Sequence, residues 1–442
     1  MSDREIKPAT ARLSSPLKGH ARMPGDRAMA HRALILGGLA AGETRISGLP
    51  ETDDVFRTAA AMRAFGATVE TGQGEWRIAG VGNGCLLEPG QPLDFGGAMD
   101  AAQLVMGLAG PYDMRVEITG DPALQRRSLG RMLDPLRLMG VQVQGAAGDR
   151  LPMALHGPKV AAPISYRVPL ASSLVKSIVL LAGLDVPGVT TVIESAPTPD
   201  HMERMLRLFG AALDVETDPG GLRQIRLEGQ GRLTGQPVAI PGDPACAAAL
   251  IVAALLVPGS DIVIEGLLVN PTRAGLLTTL REMGASIDIA NRRVVSGEEV
   301  ADLRVRHSGL LGVAVPASRA PTMAEEIPAL VVAAAFADGD TTIEGLEDLR
   351  GGDRLAAMVA GLAANGVPFE EASDGLLVRG APGGSVAGGG TVETRGDAQV
   401  AMAFLAMGTA SARPVEVDDV APVRAHFPGF AELFGGLGAA IE

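Results

Sequence analysis

The sequence predicts an α/β protein of two domains, each built from three βαβαββ units with buried helices inside and mixed sheets outside. Three observations carry this. A short frame recurs six times: Phe65-Gly66-Ala67, Met139-Gly140-Val141, Phe209-Gly210-Ala211, Met283-Gly284-Ala285, Asn365-Gly366-Val367 and Leu437-Gly438-Ala439. Its spacing of roughly 70–80 residues suits a small βαβαββ repeat and is long for a solenoid. Six stretches at matching places in the repeats are rich in Ala, Leu, Val and Met on nearly all sides. Finally, Pro24-Gly25-Asp26 in the first repeat is echoed by Pro241-Gly242-Asp243 in the fourth, which divides six repeats into two sets of three.

The first repeat sets the pattern. A turn at Pro24-Gly25-Asp26 leads through Arg27 and Arg32 into an apolar helix over 33–40, and Gly42 stops that helix before a strand at 44–46. The equivalent helices are expected at 101–109, 174–182, 245–256, 326–337 and 400–407, and a helix apolar all round belongs in a core. The strands that follow are expected at 115–118, 190–193, 261–264, 341–343 and 415–417. Each glycine of the recurring frame ends a second, amphipathic helix at the position that needs positive φ, and extended sequence follows, as at 68–70 and 286–289. One domain is placed at 24–237. The other combines 1–23 with 238–442, so the chain crosses over twice. A ligand site is expected in the cleft between the two.

Composition limits the ligand. Among 442 residues, 47% are hydrophobic, with 58 Gly and 30 Pro spread along the chain, as in a packed protein with many tight turns. A net charge of -13 disfavours nucleic acid and anionic membrane surfaces. Two cysteines, with no Cys/His cluster, give no metal site and no disulfide framework. The N-terminal stretch lacks the apolar core of a signal peptide, and the longest apolar run, 245–257, is too short to span a bilayer. A reduced, cytoplasmic monomer is expected. Helix N-termini facing one cleft favour an anion, whatever the net charge.

At this point the segments PGDRAMAHR (24–32), GDRLP (148–152), YRVPLASS (166–173), PGDPA (241–245), VAALLVPGSD (252–261), NPTR (270–273), ADLRVR (301–306) and VAAAFADG (332–339) carry a resemblance across essentially the whole chain. The protein resembles the enolpyruvyl transferases, most closely the branch that transfers the enolpyruvyl group of phosphoenolpyruvate to the 5-hydroxyl of shikimate 3-phosphate. The resemblance implies a two-domain inside-out α/β barrel and no cofactor. Arg32 matches the arginine that reads the shikimate carboxylate, Ser172 and Ser173 the phosphate-side serines, and Arg127 and Arg354 the phosphoenolpyruvate arginines. A guanidinium can grip a carboxylate or phosphate through two parallel hydrogen bonds.

Other family positions differ. The lysine-serine pair of the first motif is Arg27-Ala28, the next loop with its threonine and arginine becomes Gly97-Ala98-Met99-Asp100, ending at Gln103, with no family counterpart for Asp100, and the glutamine after the serine pair is Leu174. Pro199 replaces an arginine, Glu325 the catalytic aspartate, and Asp397-Ala398-Gln399 an Asp-His-Arg motif. A lysine-glutamate pair before Asp353 is absent from Arg350-Gly351-Gly352. These replacements lead to the expectation of altered chemistry, an isomerisation, elimination or cyclisation through an enol on a small anionic, carboxylated, cyclic substrate. Glu325, Arg27 and Asp100 are the candidate catalytic groups. Arg32, Arg127, Ser172, Ser173, Arg354, Gln103, Asp397 and Gln399 are the candidate substrate contacts. Authentic enolpyruvyl transfer and a non-catalytic binding relative stand as alternatives. Several candidates also have plainer readings: Asp100, Ser172, Ser173 and Asp200 as helix caps, Glu325 and Glu326 as carboxylates favoured at a helix start, and His31 as structural.

Overall fold

The computed structural model describes residues 7–350 and 353–442. The described residues form six four-stranded sheets, and the middle of the first half shows how one arises. Leu93–Asp94 leads into the helix Met99–Ala109, then strand Arg115–Thr119, helix Gly130–Leu138, and the strands Gln142–Ala146 and Arg150–His156. Leu93–Asp94 pairs parallel to Arg115–Thr119, which pairs antiparallel to Arg150–His156. A parallel edge beside an antiparallel pair recurs in all six sheets.

Two sheets take their edge strand from elsewhere in the chain. Pro237–Ala239 pairs with Glu43–Ser47 in the first repeat's sheet, and Lys18–Arg22 pairs with Asp261–Leu268 in the fourth. Each of these strands precedes the helix of one repeat and completes the sheet of another. The N-terminal strand Ala9–Arg12 similarly lies between Val415–Val417 and Ala440–Ile441 in the sixth sheet. The chain accordingly divides into two compact units. One holds Gly25–Ile240 with Val294–Glu298; the other holds the residues up to Pro24, Pro241–Arg293 and Glu299–Glu442. The five-residue segment Val294–Glu298, which runs from the end of the strand Ser286–Val295 through a turn to the start of Glu298–Arg306, joins the first of these, a detail without a signal in the sequence.

The apolar helices are Arg27–Leu39, Met99–Ala109, Ser173–Gly183, Pro244–Leu256, Ile327–Ala335 and Ala398–Gly408, and their side chains fill the cores. In Pro244–Leu256 every residue but the last is buried. The first helix begins at Arg27, six residues before the expected 33, because Asp26 caps it: its carboxylate accepts from Met29 N at 2.8 Å. The preceding Gly25 has no substitute, since a Cβ there would lie 2.0 Å from Gly48 O. At the other end of the repeat, the frame glycines adopt the conformation their position demands. Gly66 has φ +100° and Gly438 φ +116°, and the other four are also positive. Among the described residues no helix is long and apolar enough to cross a membrane.

Candidate functional site

In the unit Gly25–Ile240 the chemistry gathers at helix starts. Arg27 opens its helix, and its Nη1 donates to Asp54 Oδ2 at 3.3 Å. Asp54 also faces His31 Nε2 at 3.5 Å and accepts from the Thr52 hydroxyl and from Val55 N. His31 is buried, with Nδ1 2.8 Å from Thr58 Oγ1. Burial alone would raise the Asp54 carboxyl. The hydrogen bond and charge of His31, the charge of Arg27 and the Thr52 hydroxyl outweigh it and hold the group far below the usual carboxylate range. A carboxyl with a depressed folded-state pKa contributes stability above its unfolded pKa and loses it as pH falls below that value. Asp54→Asn is therefore expected to destabilise the protein by about 1–3 kcal/mol near neutrality. Its deficit against the parent should shrink on acidification through about pH 4, as read by denaturant unfolding at pH 6 and pH 3.5. A deficit independent of pH would contradict this assignment.

One turn further on, Arg32 is 4% exposed. Its Nη1 donates to Ala28 O and its Nη2 to Ser177 Oγ, both at 2.7 Å. Burial pushes its pKa down, and the carboxylates of Asp26, Asp100, Glu203 and Glu298 push it back up. Asp100 lies in the first turn of Met99–Ala109 and does not cap it; Ala98 is the N-cap, and no side chain bonds there. The capping reading of Asp100 is thereby replaced by a charge acting on Arg32. Gln103, on the next turn, is buried, and its Oε1 has no hydrogen-bond partner among the described residues. Arg127 is exposed in the turn after Pro122–Gln125.

Ser172 caps the helix Ser173–Gly183, accepting from Val175 N at 3.3 Å. The carbonyl of Ser173 accepts from the Ser177 hydroxyl at 2.6 Å. On the same helix, Lys176 is fully buried, with Nζ 3.1 Å from Glu194 Oε1 and 2.9 Å from Glu203 Oε1. Arg223 approaches the same two glutamates at 3.6 and 3.4 Å. Asp200 is the N-cap residue of His201–Leu208, but its carboxylate turns to Arg204 instead of the helix amides. His201 Nδ1 lies 2.8 Å from Glu298 Oε1, in the segment that the sequence reading had grouped with 238–442.

The other unit holds a second cluster. Glu325 lies in the turn before the helix Ile327–Ala335, half-buried. Its neighbour Glu326 is buried and paired with Arg273. Burial raises the Glu326 pKa; Arg273 opposes that and the Glu325 charge adds to it. Arg354 opens Asp353–Ala364; its Nε donates to Asp397 Oδ2 at 2.6 Å and its Nη1 to Ala324 O at 3.4 Å. Burial lowers its pKa, but the charges of Asp397 and Glu325 prevail and raise it. The other carboxylate oxygen of Asp397 caps Ala398–Gly408, accepting from Gln399 N and Val400 N at 2.9 and 3.1 Å. Gln399 is buried in the first turn. Gly351 and Gly352, in the shortened loop, lie outside the described residues. A cavity of about 10 Å³ between Arg273, Glu326, Pro244 and Leu276 has room for about one water, far too little for a substrate. Among the described residues no group of three or more His, Cys, Asp and Glu could hold a metal ion.

The sequence reading named the charged helix starts but not their partners Asp54, Ser177, Lys176, Glu203, Glu298 and Arg273. Lys176 alone had a legible signal, a single charge within LVKSIVLLAG. The others sit in ordinary polar surroundings, where pairing is decided by tertiary contact.

The family model for EPSP synthase (3-phosphoshikimate 1-carboxyvinyltransferase) matches residues 11–434. A 3-phosphoshikimate 1-carboxyvinyltransferase of Chelativorans sp. is 58% identical over 439 residues, covering 99% of this chain and 98% of the relative. The one from Mesorhizobium japonicum is 57% identical over 445 residues, with the same coverage. The solved EPSP synthase of Acinetobacter baumannii superposes with a TM-score of 0.87 at 34% identity, covering 99% of both chains. The fold is therefore the two-domain inside-out α/β barrel expected from the repeats. The expectation of an altered reaction through isomerisation, elimination or cyclisation is corrected by these relatives. It weighed replacements at Arg27, Gln103, Leu174, Pro199, Glu325 and Gln399 one by one. More than half of all residues, end to end, coincide with proteins named for the ordinary reaction, and at Arg27 and Glu325 the replacement keeps the charge of the group it replaces. The family model, the full-length identities and the whole-chain structural match agree that this chain belongs to the EPSP synthase (3-phosphoshikimate 1-carboxyvinyltransferase) family.

Proposed function

We propose that the protein is an authentic 3-phosphoshikimate 1-carboxyvinyltransferase, acting as a cytoplasmic monomer without a metal or organic cofactor. The observation that carries this reading is identity of 58% and 57%, over nearly the full length, to relatives named for that activity. Its domains are taken as 24–237 and the remainder of the chain. The reaction joins the 5-hydroxyl oxygen of shikimate 3-phosphate to C2 of phosphoenolpyruvate. The C2–O bond to phosphate breaks, and inorganic phosphate leaves with the hydroxyl proton. Addition across the enol double bond places a proton on C3, and elimination removes it again.

Each candidate takes a part in that chemistry. Arg32 holds the shikimate carboxylate, and Ser172 and Ser173 meet the 3-phosphate. Arg127 and Arg354 grip phosphoenolpyruvate, with Asp397 fixing the Arg354 guanidinium by its 2.6 Å hydrogen bond. Gln103 and Gln399 add polar contacts. Glu325 is the proton carrier at C3. Arg27 and Asp100 act on the developing charge, since a guanidinium stays protonated and cannot shuttle the proton. The test is phosphate release from phosphoenolpyruvate and shikimate 3-phosphate, with the enolpyruvyl product identified by mass. Release that requires both substrates, at an ordinary enzymatic rate of about 1 per second or more, is expected. Absence of phosphate and product with both substrates present overturns the reading.

A further inference from the structure

We propose that Ser177 is the positioning residue for Arg32, turning its guanidinium so that the Nε edge is left without a protein partner among the described residues and can meet a carboxylate of the substrate. This rests on the reading of Arg32 as the carboxylate holder. Ser177 is 1% exposed and Arg32 4%, so neither group has water to orient it. The Ser177 hydroxyl donates its one proton to Ser173 O at 2.6 Å, which leaves its lone pairs to accept from Arg32 Nη2 at 2.7 Å. Ala28 O anchors Nη1 at 2.7 Å. With both terminal nitrogens tied, the guanidinium plane is fixed. Its Nε is buried and has no partner among the described residues. Nε–H and the remaining N–H of Nη2 form parallel donors, the pair that matches two carboxylate oxygens.

The partner's chemistry matters as much as its place. A carboxylate at position 177 would orient Arg32 equally well, but it would neutralise the cation and repel an anionic ligand. A hydroxyl orients the fork and leaves its charge for the substrate. Lys176, the adjacent residue, cannot take this part because its ammonium is held by Glu194 and Glu203.

The test compares Ser177→Ala with the parent, each also in an Arg32→Lys background, with Ser177→Cys as a variant of similar volume. Titration calorimetry gives the affinity for shikimate 3-phosphate, and steady-state kinetics gives KM for each substrate and kcat. Ser177→Ala is expected to weaken shikimate 3-phosphate binding and raise its KM about tenfold, with little change in KM for phosphoenolpyruvate. In the Arg32→Lys background the same substitution should change the affinity little, which a merely structural role would not produce. Equal losses in both backgrounds, or unchanged affinity in Ser177→Ala and Ser177→Cys, overturn the proposal. Tight binding without turnover in the parent would end the transferase reading and leave the positioning one standing. A parent that binds no shikimate 3-phosphate ends both.

Discussion

Replacing Arg32 by alanine is expected to lower kcat/KM for shikimate 3-phosphate by about 10²–10⁴-fold. Each hydrogen bond to a charged group contributes about 1.5–3 kcal/mol, and two donors meeting one carboxylate give about 3–6 kcal/mol, at 1.4 kcal/mol per decade. Burial strengthens the case, because Arg32 is 4% exposed and water cannot replace the lost donors. The fold suffers as well, since Asp26, Asp100, Glu203 and Glu298 all act on this cation. Arg32→Lys separates the two effects. It keeps the charge among those carboxylates and loses the planar fork, so it should restore stability more fully than affinity. Substrate titrations on folded protein, checked by circular dichroism, give the answer. An alanine variant that is folded and has an unchanged KM for shikimate 3-phosphate would remove Arg32 from the site.

The repeats were legible because their signals are local. Gly66 and Gly438 stand where a helix must end in positive φ, and the structure gives +100° and +116°; a residue's own backbone preference decides that, without help from the rest of the chain. The helix start at Arg27 was misplaced because the apolar count begins at Ala33, whereas the helix begins where Asp26 caps it. Strand exchange was only partly legible. The boundary read at 237 falls inside Pro237–Ala239, which lies wholly in the unit Gly25–Ile240, and the parallel pairing partners of that strand and of Lys18–Arg22 come from tertiary contact.

The charged residues at the helix starts were legible in the sequence, and what holds them was not. Arg32 and Arg354 stand in motifs with recognisable neighbours, but their hydrogen-bond partners Ser177 and Asp397 lie 145 and 43 residues away. Asp100 illustrates the limit. An aspartate beside an apolar run reads as a cap, yet the helix begins at Met99, and the carboxylate instead bears on Arg32 from another repeat. The same limit misled the reading of the reaction. Each altered position was costed as a lost interaction, as though the remaining groups were fixed. Arg27 retains a cation that meets Asp54 at 3.3 Å, and such pairing is invisible when positions are taken singly.

Lys176→Met is expected to destabilise the protein by about 3–5 kcal/mol, the range for breaking a buried ion pair from one side. The ammonium is fully buried and lies 3.1 and 2.9 Å from Glu194 and Glu203. Its removal leaves two carboxylates with Arg223, at 3.6 and 3.4 Å, as the cation still within ion-pair distance of both among the described residues. The cost therefore arises from the charges left behind, and methionine fills most of the lysine's volume. Neutralising the carboxylates in the same chain tests this. Lys176→Met with Glu203→Gln should recover much of the loss, because replacing both sides of a buried pair is often close to neutral. The recovered protein should bind shikimate 3-phosphate about as well as the parent, since the double change removes one cation and one carboxylate together and leaves the charge balance around Arg32 unaltered. Denaturant unfolding measures the first effect and calorimetry the second. If the double variant is as unstable as Lys176→Met alone, the loss comes from packing, and the charge argument for this helix fails.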